Sequence, residues 1–475
     1  MTDFQKIRVR IAPSPTGFLH LGGLRTALFN WLFAAHNNGT FLIRIEDTDL
    51  ERSKPEYTAS IIEALTWASI QSDEPIMIQS EHIKRHRAIA EKLVSEGKAY
   101  KCYCTTQELE ARLGNNASQE GYAKYDRKCC GLVQTDHDKP FAIRFKIPDT
   151  QEHVSFIDLI HGEISFETAQ LDDFIIIRSD GTPMYNFVVV VDDADMRISH
   201  VIRGDDHISN TPKQILLYQA AGFTVPQFAH VPMILGEDGQ RLSKRHAATA
   251  VIDYRKNGYL APALCNYLVR LGWSHGDQEI FTRDELVQYF SLDQVGKKAA
   301  IFDNKKLDWL NNLYIKQKSG IELFELITKD VESNFAARVA NWTKEQVYKI
   351  LELYRDRVKT LRELIDEVYL VYSGPAGFTD LELEKIKITA QAEIYMLEVA
   401  HNLREQTDFT AQAVTDVLKK LCKEQKIGLV EIAQPLRIAL LGKAASPSVF
   451  ELLELVGKNE SIKRLDYFIK TIYSA

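Results

Sequence analysis

Arg10-Ile11-Ala12-Pro13-Ser14-Pro15-Thr16-Gly17-Phe18-Leu19-His20-Leu21-Gly22-Gly23-Leu24-Arg25 joins a short apolar run (7–11) to an apolar-faced segment (26–33). The run before it reads as a strand and the segment after it as a helix. Two prolines and three glycines between them predict a tight strand–turn–helix in which the backbone can approach a ligand closely. The start of a helix after a parallel strand offers free N–H groups and the positive end of the helix dipole, which suits an anion. His20 is placed to add a polar group aimed at phosphate. Taken alone, the stretch reads equally as a Gly/Pro-rich loop with a half-buried histidine.

Outward from this stretch, residues 1–95 alternate strand-like and helix-like segments. Residues 40–47 read as a buried strand that ends in acids, with Glu46, Asp47 and Asp49 at its end. Residues 55–70 and 82–96 read as helices. The pattern predicts an α/β fold on a parallel sheet, with ligands bound beyond the carboxyl ends of the strands. The acids read either as site residues or as a solvated, helix-capping loop.

The pattern changes between about 99 and 180. Two cysteine pairs and short strand-like runs (141–147, 154–158) predict an insertion into the sheet. Buried-strand character returns at 174–177 and 185–191, the second run ending in Asp192-Asp193. A strand and turn follow at 199–207, a helix at 211–222, and a strand at 230–235. That strand enters a loop with two glycines and the cations Arg241, Lys244 and Arg245. The loop reads as a mobile phosphate grip or as an ordinary basic hairpin.

After Ala250 the chain reads as helical: 262–271, 322–333, 344–371, 379–405, 411–425, 448–455 and 461–472. Breaks are expected at Gly320, 373–377, Gly428 and Gly442.

The 475 residues are too many for one ordinary domain and carry a net charge of −7, which gives no global drive toward nucleic acid but permits a local basic face. With no stretch of 18 apolar residues and no leader-like N-terminus, the composition (45% hydrophobic, 26% charged) predicts a cytoplasmic globular protein without a membrane partner. Of six cysteines, Cys102, Cys104, Cys129 and Cys130 cluster, which raises a metal question rather than a disulfide framework. Cys265 and Cys422 sit singly in apolar helical patterns and read as core.

These motifs together resemble the glutamyl-tRNA synthetases of class I. His20-Leu21-Gly22-Gly23 is similar to the HIGH motif, and Arg241-Leu242-Ser243-Lys244-Arg245 to the KMSKS loop. More specific are Arg10 to Gly17, Arg44-Ile45-Glu46-Asp47-Thr48-Asp49, Tyr185-Asn186-Phe187, Val201-Ile202-Arg203-Gly204-Asp205-Asp206-His207, Leu271-Gly272-Trp273-Ser274-His275-Gly276 and Phe302-Asp303-Asn304-Lys305-Lys306-Leu307. Gln434-Pro435-Leu436-Arg437-Ile438-Ala439-Leu440, with Gly442 and Ser446-Pro447, resembles the distal anticodon-binding region of the bacterial enzymes. The motifs occur in family order along nearly the whole chain.

The resemblance implies a Rossmann-type parallel-sheet catalytic domain in two halves (1–98 and 185–240). Between them lies an α+β insertion (99–184) for the tRNA acceptor end. A stem-contact region with the KMSKS-like loop (241–320) and two mainly helical anticodon-binding subdomains (321–373 and 374–475) follow. The implied reaction joins L-glutamate to tRNA(Glu) through glutamyl-adenylate, using ATP with Mg2+, in a monomeric enzyme. A non-discriminating enzyme that also charges tRNA(Gln) is the alternative. A glutaminyl-tRNA synthetase is disfavoured because that family's C-terminus resembles a β-barrel, and a truncated relative because some 150 helical residues follow the core.

By resemblance His20, Gly22, Gly23, Lys244 and Arg245 are catalytic, and His20, Gly22, Asp206 and Lys244 hold ATP. Arg10, Ala12, Ser14, Glu46, Tyr185 and Arg203 form the glutamate pocket: cations for carboxylates, an acid for the amine. Structural pairing of Arg10 or Arg203 with Asp192, Asp193, Asp205 or Asp206 is the competing reading. Arg437, and after it Arg357, are the anticodon candidates. Cys102, Cys104 and Cys129 match the spacing of zinc-binding members, but the fourth position falls on Gly131, with Cys130 and His137 nearby; structural zinc wants four ligands.

Overall fold

The computed structural model describes residues 6–49, 51–113, 125–132, 139–242 and 250–473. They form two units, residues 1–254 with 261–304, and residues 255–260 with 305–475. Among the described residues every strand belongs to the first unit, and no helix is long and apolar enough to cross a membrane.

The first unit opens with β1 (Arg8–Ile11), α1 (Leu21–His36) and β2 (Thr40–Ile45), then α2 (Pro55–Trp67), β3 (Met77–Ile78) and α3 (Ile83–Ser95). β1 pairs parallel with β2, Arg8 opposite Thr40 and Ile11 opposite Ile43, and β2 pairs parallel with β3. All six residues of β2 are buried, as expected of a parallel strand covered on both faces. Gly39 permits the α1–β2 turn, because a Cβ there would lie 2.8 Å from the Ile7 carbonyl oxygen.

β4 (Ala99–Cys102), α4 (Thr106–Leu113), β5 (Ala142–Phe145), β6 (His153–Asp158), β7 (Gly162–Glu167) and β8 (Ile175–Ile177) follow. β4, β5 and β8 make a separate antiparallel sheet. β6 and β7 form a hairpin, and β6 returns to the main sheet beside β10. Next come α5 (Tyr185–Asp195), β9 (His200–Gly204), α6 (Thr211–Ala221) and β10 (Gln227–Val231), with β9 and β10 parallel. β9 lies alongside β1, where the Ser199 amide donates to the Arg8 carbonyl at 2.9 Å. The carboxyl ends of β1 and β9 therefore flank one crevice, the switch point at which such sheets bind ligands.

The strand expected at 185–191 is instead α5. A run of four valines favours a strand by propensity, but Phe187 to Asp193 are buried all round, and tertiary packing overrides the weak preference of β-branched residues. The helix also carries Asp192 and Asp193 into the core. The strand expected at 230–235 is split, since Pro232 cannot donate to the ladder; β10 ends at Val231 and a two-residue strand resumes at Ile234–Leu235.

In the second unit the expected helix 344–371 is two, Lys344–Tyr354 and Leu361–Ser373, the second capped by Thr360. The expected helix 379–405 is likewise Asp380–Leu383 and Ala390–Glu405, with Thr389 as cap. A helix at Leu429–Leu441, with Pro435 inside it, adds to those expected. The break expected at Gly320 lies just before it, between a helix ending at Lys316 and one beginning at Gly320, where a Cβ would lie 2.4 Å from the Tyr348 carbonyl oxygen.

Candidate active site

A cleft of about 590 Å³ opens at the ends of β1 and β9. Arg10, Ala12, Ser14, His20, Gly22, Gly23, Glu46, Tyr185, Arg203 and Asp206 all line it. Lys244 and Arg245 lie outside the described residues, as does His137.

At one end, α1 begins at Leu21 because His20 caps it: its Nδ1 accepts from the Gly23 amide at 3.0 Å. An accepting Nδ1 leaves the proton on Nε2, so the ring presents a donor to the cleft. Enclosure by the walls lowers the imidazole pKa, and the Arg241 cation lowers it further, which keeps the ring neutral although one face meets solvent. The Leu21 and Gly22 amides precede the first intrahelical bond and face an anion site. Arg241 Nη2 lies 3.7 Å from Asp206 Oδ2 at the entrance to this end, an exposed pair of small energetic weight. Arg25 anchors α1 from behind, donating to the Leu271 and Pro232 carbonyls; burial pushes its pKa down to about 10.

At the other end the two arginines differ. Arg10 is bound by Asp193 at two points, Nε to Oδ1 at 2.9 Å and Nη2 to Oδ2 at 3.0 Å. Asp193 also accepts from Arg44 Nη1 at 2.6 Å, and Arg44 Nη2 donates to Glu46 Oε1 at 3.0 Å. Behind them Asp192 takes His86 at 2.6 Å and Gln79 at 2.7 Å. Burial alone would raise the Asp193 pKa, but Arg10 and Arg44 outweigh it and hold it below the usual value. Burial raises Glu46 despite Arg44. Among the described residues no donor reaches Glu46 Oε2, and Glu46 lines the cleft.

Arg203 is buried and, among the described residues, has no carboxylate in ion-pair range. Its Nε donates to His230 Nε2 at 3.1 Å and its Nη2 to Thr211 Oγ1 at 2.9 Å, while Nη1 is buried without a partner. A buried guanidinium left in this state is costly unless an anion joins it. Tyr185, pushed up to about 12 by burial and by Glu46, feels the charges of both arginines and meets His207 at 3.3 Å. His207 is driven down to about 4 by burial and by Arg203, so it is a neutral wall of the cleft. His230 was missed in sequence because a lone histidine carries no spacing signal, and His207, though inside the 201–207 motif, was given no role.

The cysteine cluster is real in three of its members: the Sγ atoms of Cys102, Cys104 and Cys129 lie within 4.8 Å of one another, without Cys130. Tyr125 Oη sits among them, 3.3 Å from Cys102 Sγ and 3.6 Å from Cys104 Sγ. Tetrahedral zinc at a Zn–S distance of about 2.3 Å needs sulfurs about 3.8 Å apart, so the donor set fits zinc with Tyr125 near the fourth corner. Tyr125 was missed because the expected fourth position was sought after Cys129 rather than before it.

In the second unit Arg437 has a buried, unpartnered Nε and a pKa lowered by burial and by Arg357. The two anticodon candidates are therefore close enough for the Arg357 charge to act on Arg437. Arg357 shares a shallow hollow with the exposed indole of Trp309.

A two-ended anion cleft at the switch point of a parallel sheet, followed by a helical unit, defines a class I tRNA synthetase architecture. Residues 6–309 match the family described as tRNA synthetases class I (E and Q), catalytic domain, and residues 334–469 match the anticodon binding domain family. The glutamate–tRNA ligase of Thermodesulfovibrio yellowstonii is 46% identical over 460 residues, covering 97% of this chain and 98% of that one. The Geobacter sulfurreducens ligase is 46% identical over 459 residues, covering 97% of each. The crystal structure of a glutamate tRNA ligase from Elizabethkingia meningosepticum, in complex with its amino acid, superposes with a TM-score of 0.87 at 30% identity, covering 98% of this chain and all of that one. The chain belongs to the glutamate–tRNA ligase family.

Proposed function

We infer that the chain ligates L-glutamate to the 3′ end of tRNA(Glu), with ATP and Mg2+ entering as one substrate. A glutamate carboxylate oxygen attacks the α-phosphorus, the bond to the β-phosphate oxygen breaks, and pyrophosphate leaves. A hydroxyl of the terminal ribose then attacks the acyl carbon and AMP leaves. No protein nucleophile is needed; the residues supply position and charge.

The observation that carries this reading is Arg203, a buried cation lining the cleft with no carboxylate in ion-pair range among the described residues. It receives one substrate carboxylate, and Glu46 Oε2 receives the ammonium. Arg10, neutralised by Asp193, shapes the wall with Ala12, Ser14 and Tyr185. His20 Nε2–H and the start of α1 hold the ATP phosphates, and by family resemblance Lys244 and Arg245 add cations for them. Gly22 and Gly23 let the phosphates approach α1, and Asp206 orients Arg241 at the ATP end.

Cys102, Cys104 and Cys129, with Tyr125, hold zinc that braces residues 99–184 against the acceptor end; the metal supplies folding energy there and no chemistry. Residues 321–373 and 374–475 read the anticodon, with Arg437 and Arg357 as the contacts. The enzyme works as a cytoplasmic monomer.

The deciding experiment is ATP–pyrophosphate exchange with glutamate, glutamine and aspartate, with and without tRNA, followed by charging of purified tRNA(Glu) and tRNA(Gln). Glutamate-dependent exchange and charging of tRNA(Glu) are expected. Exchange with glutamine alone would reject the reading.

A further inference from the structure

Arg203 owes its direction to a chain of groups that does not touch the cleft. Its Nε donates to His230 Nε2 at 3.1 Å. His230 is fully buried on β10, and its Nδ1 lies 2.6 Å from Asp158 Oδ2 at the end of β6. Asp158 is itself fixed, accepting from the Ile160 and His161 amides at 2.9 Å and from the His230 amide at 3.1 Å. The His230 carbonyl meets His161 Nε2 at 3.0 Å, and the Phe228 ring lies 5.6 Å from the Arg203 guanidinium.

A neutral imidazole has one proton to place. A carboxylate can only accept, so Asp158 assigns that proton to Nδ1 and leaves Nε2 bare. A guanidinium can only donate, so Arg203 needs such an acceptor. With the opposite tautomer, or with an imidazolium, two N–H groups would face each other in a buried site. Burial and the Arg203 cation both lower the His230 pKa, in keeping with a neutral ring.

We propose that His230 is a positioning residue for glutamate binding: held by Asp158 as the Nδ1–H tautomer, it takes the Arg203 Nε–H and so turns the unpartnered Nη1 toward the substrate carboxylate. The inference rests on the reading of Arg203 given above. It explains why a histidine and an aspartate are buried behind the sheet edge, three side chains deep from the ligand.

The test is a double-mutant cycle read by ATP–pyrophosphate exchange with tRNA present. His230→Leu raises the glutamate KM about 10- to 100-fold, the range expected for losing a buried hydrogen bond to a charged group. The ATP KM stays within about twofold, because His230 acts only through Arg203. In an Arg203→Ala background the same substitution changes the glutamate KM less than about twofold, because the pair acts as a unit. His230→Gln, whose amide oxygen can accept from Nε–H, recovers most of the loss. An unchanged glutamate KM in His230→Leu, equal effects on both substrates, or a full effect in the Arg203→Ala background would each overturn the proposal.

Nitrogen-15 NMR of the histidine rings in the unsubstituted protein, assigned by difference with His230→Gln, reads the tautomer even if the leucine variant fails to fold. A bare Nε2 is expected at neutral pH; a protonated Nε2 overturns the proposal. A normal glutamate KM in Arg203→Ala alone would remove this inference together with the reading beneath it. A defect there with a silent His230→Leu would remove this inference only.

Discussion

Asp193 grips Arg10 with both carboxylate oxygens, at 2.9 and 3.0 Å, and takes Arg44 at 2.6 Å with the first of them. One strand away, Arg203 lines the same cleft and carries a buried nitrogen that has no partner among the described residues. Two arginines at equivalent strand ends thus have opposite electrostatic states. The charge of Arg10 is neutralised by Asp193, and that of Arg203 meets no carboxylate among the described residues.

The first prediction concerns the neutralised arginine. Asp193→Asn leaves Arg10 and Arg44 with less buried counter-charge and lowers stability by about 3–5 kcal/mol, seen as a reduced urea midpoint. The pH dependence has a definite sign. The folded pKa of Asp193 lies below its usual 3.8, so the unfolded chain binds the proton more readily. Its contribution is complete above pH 3.8 and fades as pH falls through the lower folded value. A variant with the wild-type midpoint and acid limb would contradict the assigned role.

The second concerns the open arginine. Arg203→Ala keeps its melting temperature within a few degrees and raises the glutamate KM about 100-fold or more, since a charged hydrogen-bonded partner is lost from a dry site. Arg203→Lys restores little, because an ammonium cannot hold His230, Thr211 and a carboxylate in one plane. Steady-state exchange kinetics for the three proteins decide the point.

Third, capping and phosphate binding by His20 are separable. His20→Asn keeps an N-cap acceptor and loses under about 0.5 kcal/mol, whereas His20→Ala loses about 1 kcal/mol. Both variants raise the ATP KM, since neither reaches the cleft with an Nε2–H. Gly22→Ala acts on the same ring, because its Cβ would lie 3.1 Å from Nδ1. Paired denaturation curves and ATP titrations test this.

Fourth, protein purified without added zinc carries about one equivalent by elemental analysis. Tyr125→Phe retains less after dialysis against a chelator, and Cys104→Ser loses nearly all of it. Less than about a tenth of an equivalent in the unsubstituted protein would exclude structural zinc.

Fifth, Arg437→Ala raises the KM for tRNA about tenfold in charging assays and leaves glutamate and ATP parameters at saturating tRNA within about twofold. A matching defect in the small-substrate parameters would place Arg437 in the stability of its helix instead.

Much of the site was legible because its residues cluster in chain order around turns. The stretch Arg10 to Gly23 contributes both a strand end and a helix cap, and local rules for glycine, proline and capping apply to it directly. Glu46 and Arg203 were legible as polar residues closing apolar strands. Pairing of Arg10 with Asp193 was legible only as one of several alternatives, because the 185–191 run was read as a strand, and the helix found there is what carries that carboxylate to Arg10 and Arg44. His230 carries no local signal, since its partners Arg203 and Asp158 are distant in sequence, and Tyr125, though four residues before Cys129, is brought to Cys102 and Cys104 only by the fold.

The sequence by itself determined the alternation of strands and helices, the glycine-rich start of α1, the cysteine spacing and the family. Each of these is written in neighbours along the chain, where period, turn chemistry and capping act. Tertiary structure alone decided which arginine the fold neutralises, that a valine run coils, and that a tyrosine hydroxyl stands among three sulfurs. Those outcomes depend on which distant groups share a low-dielectric interior, where an unpaired charge or donor is too costly to leave to local preference.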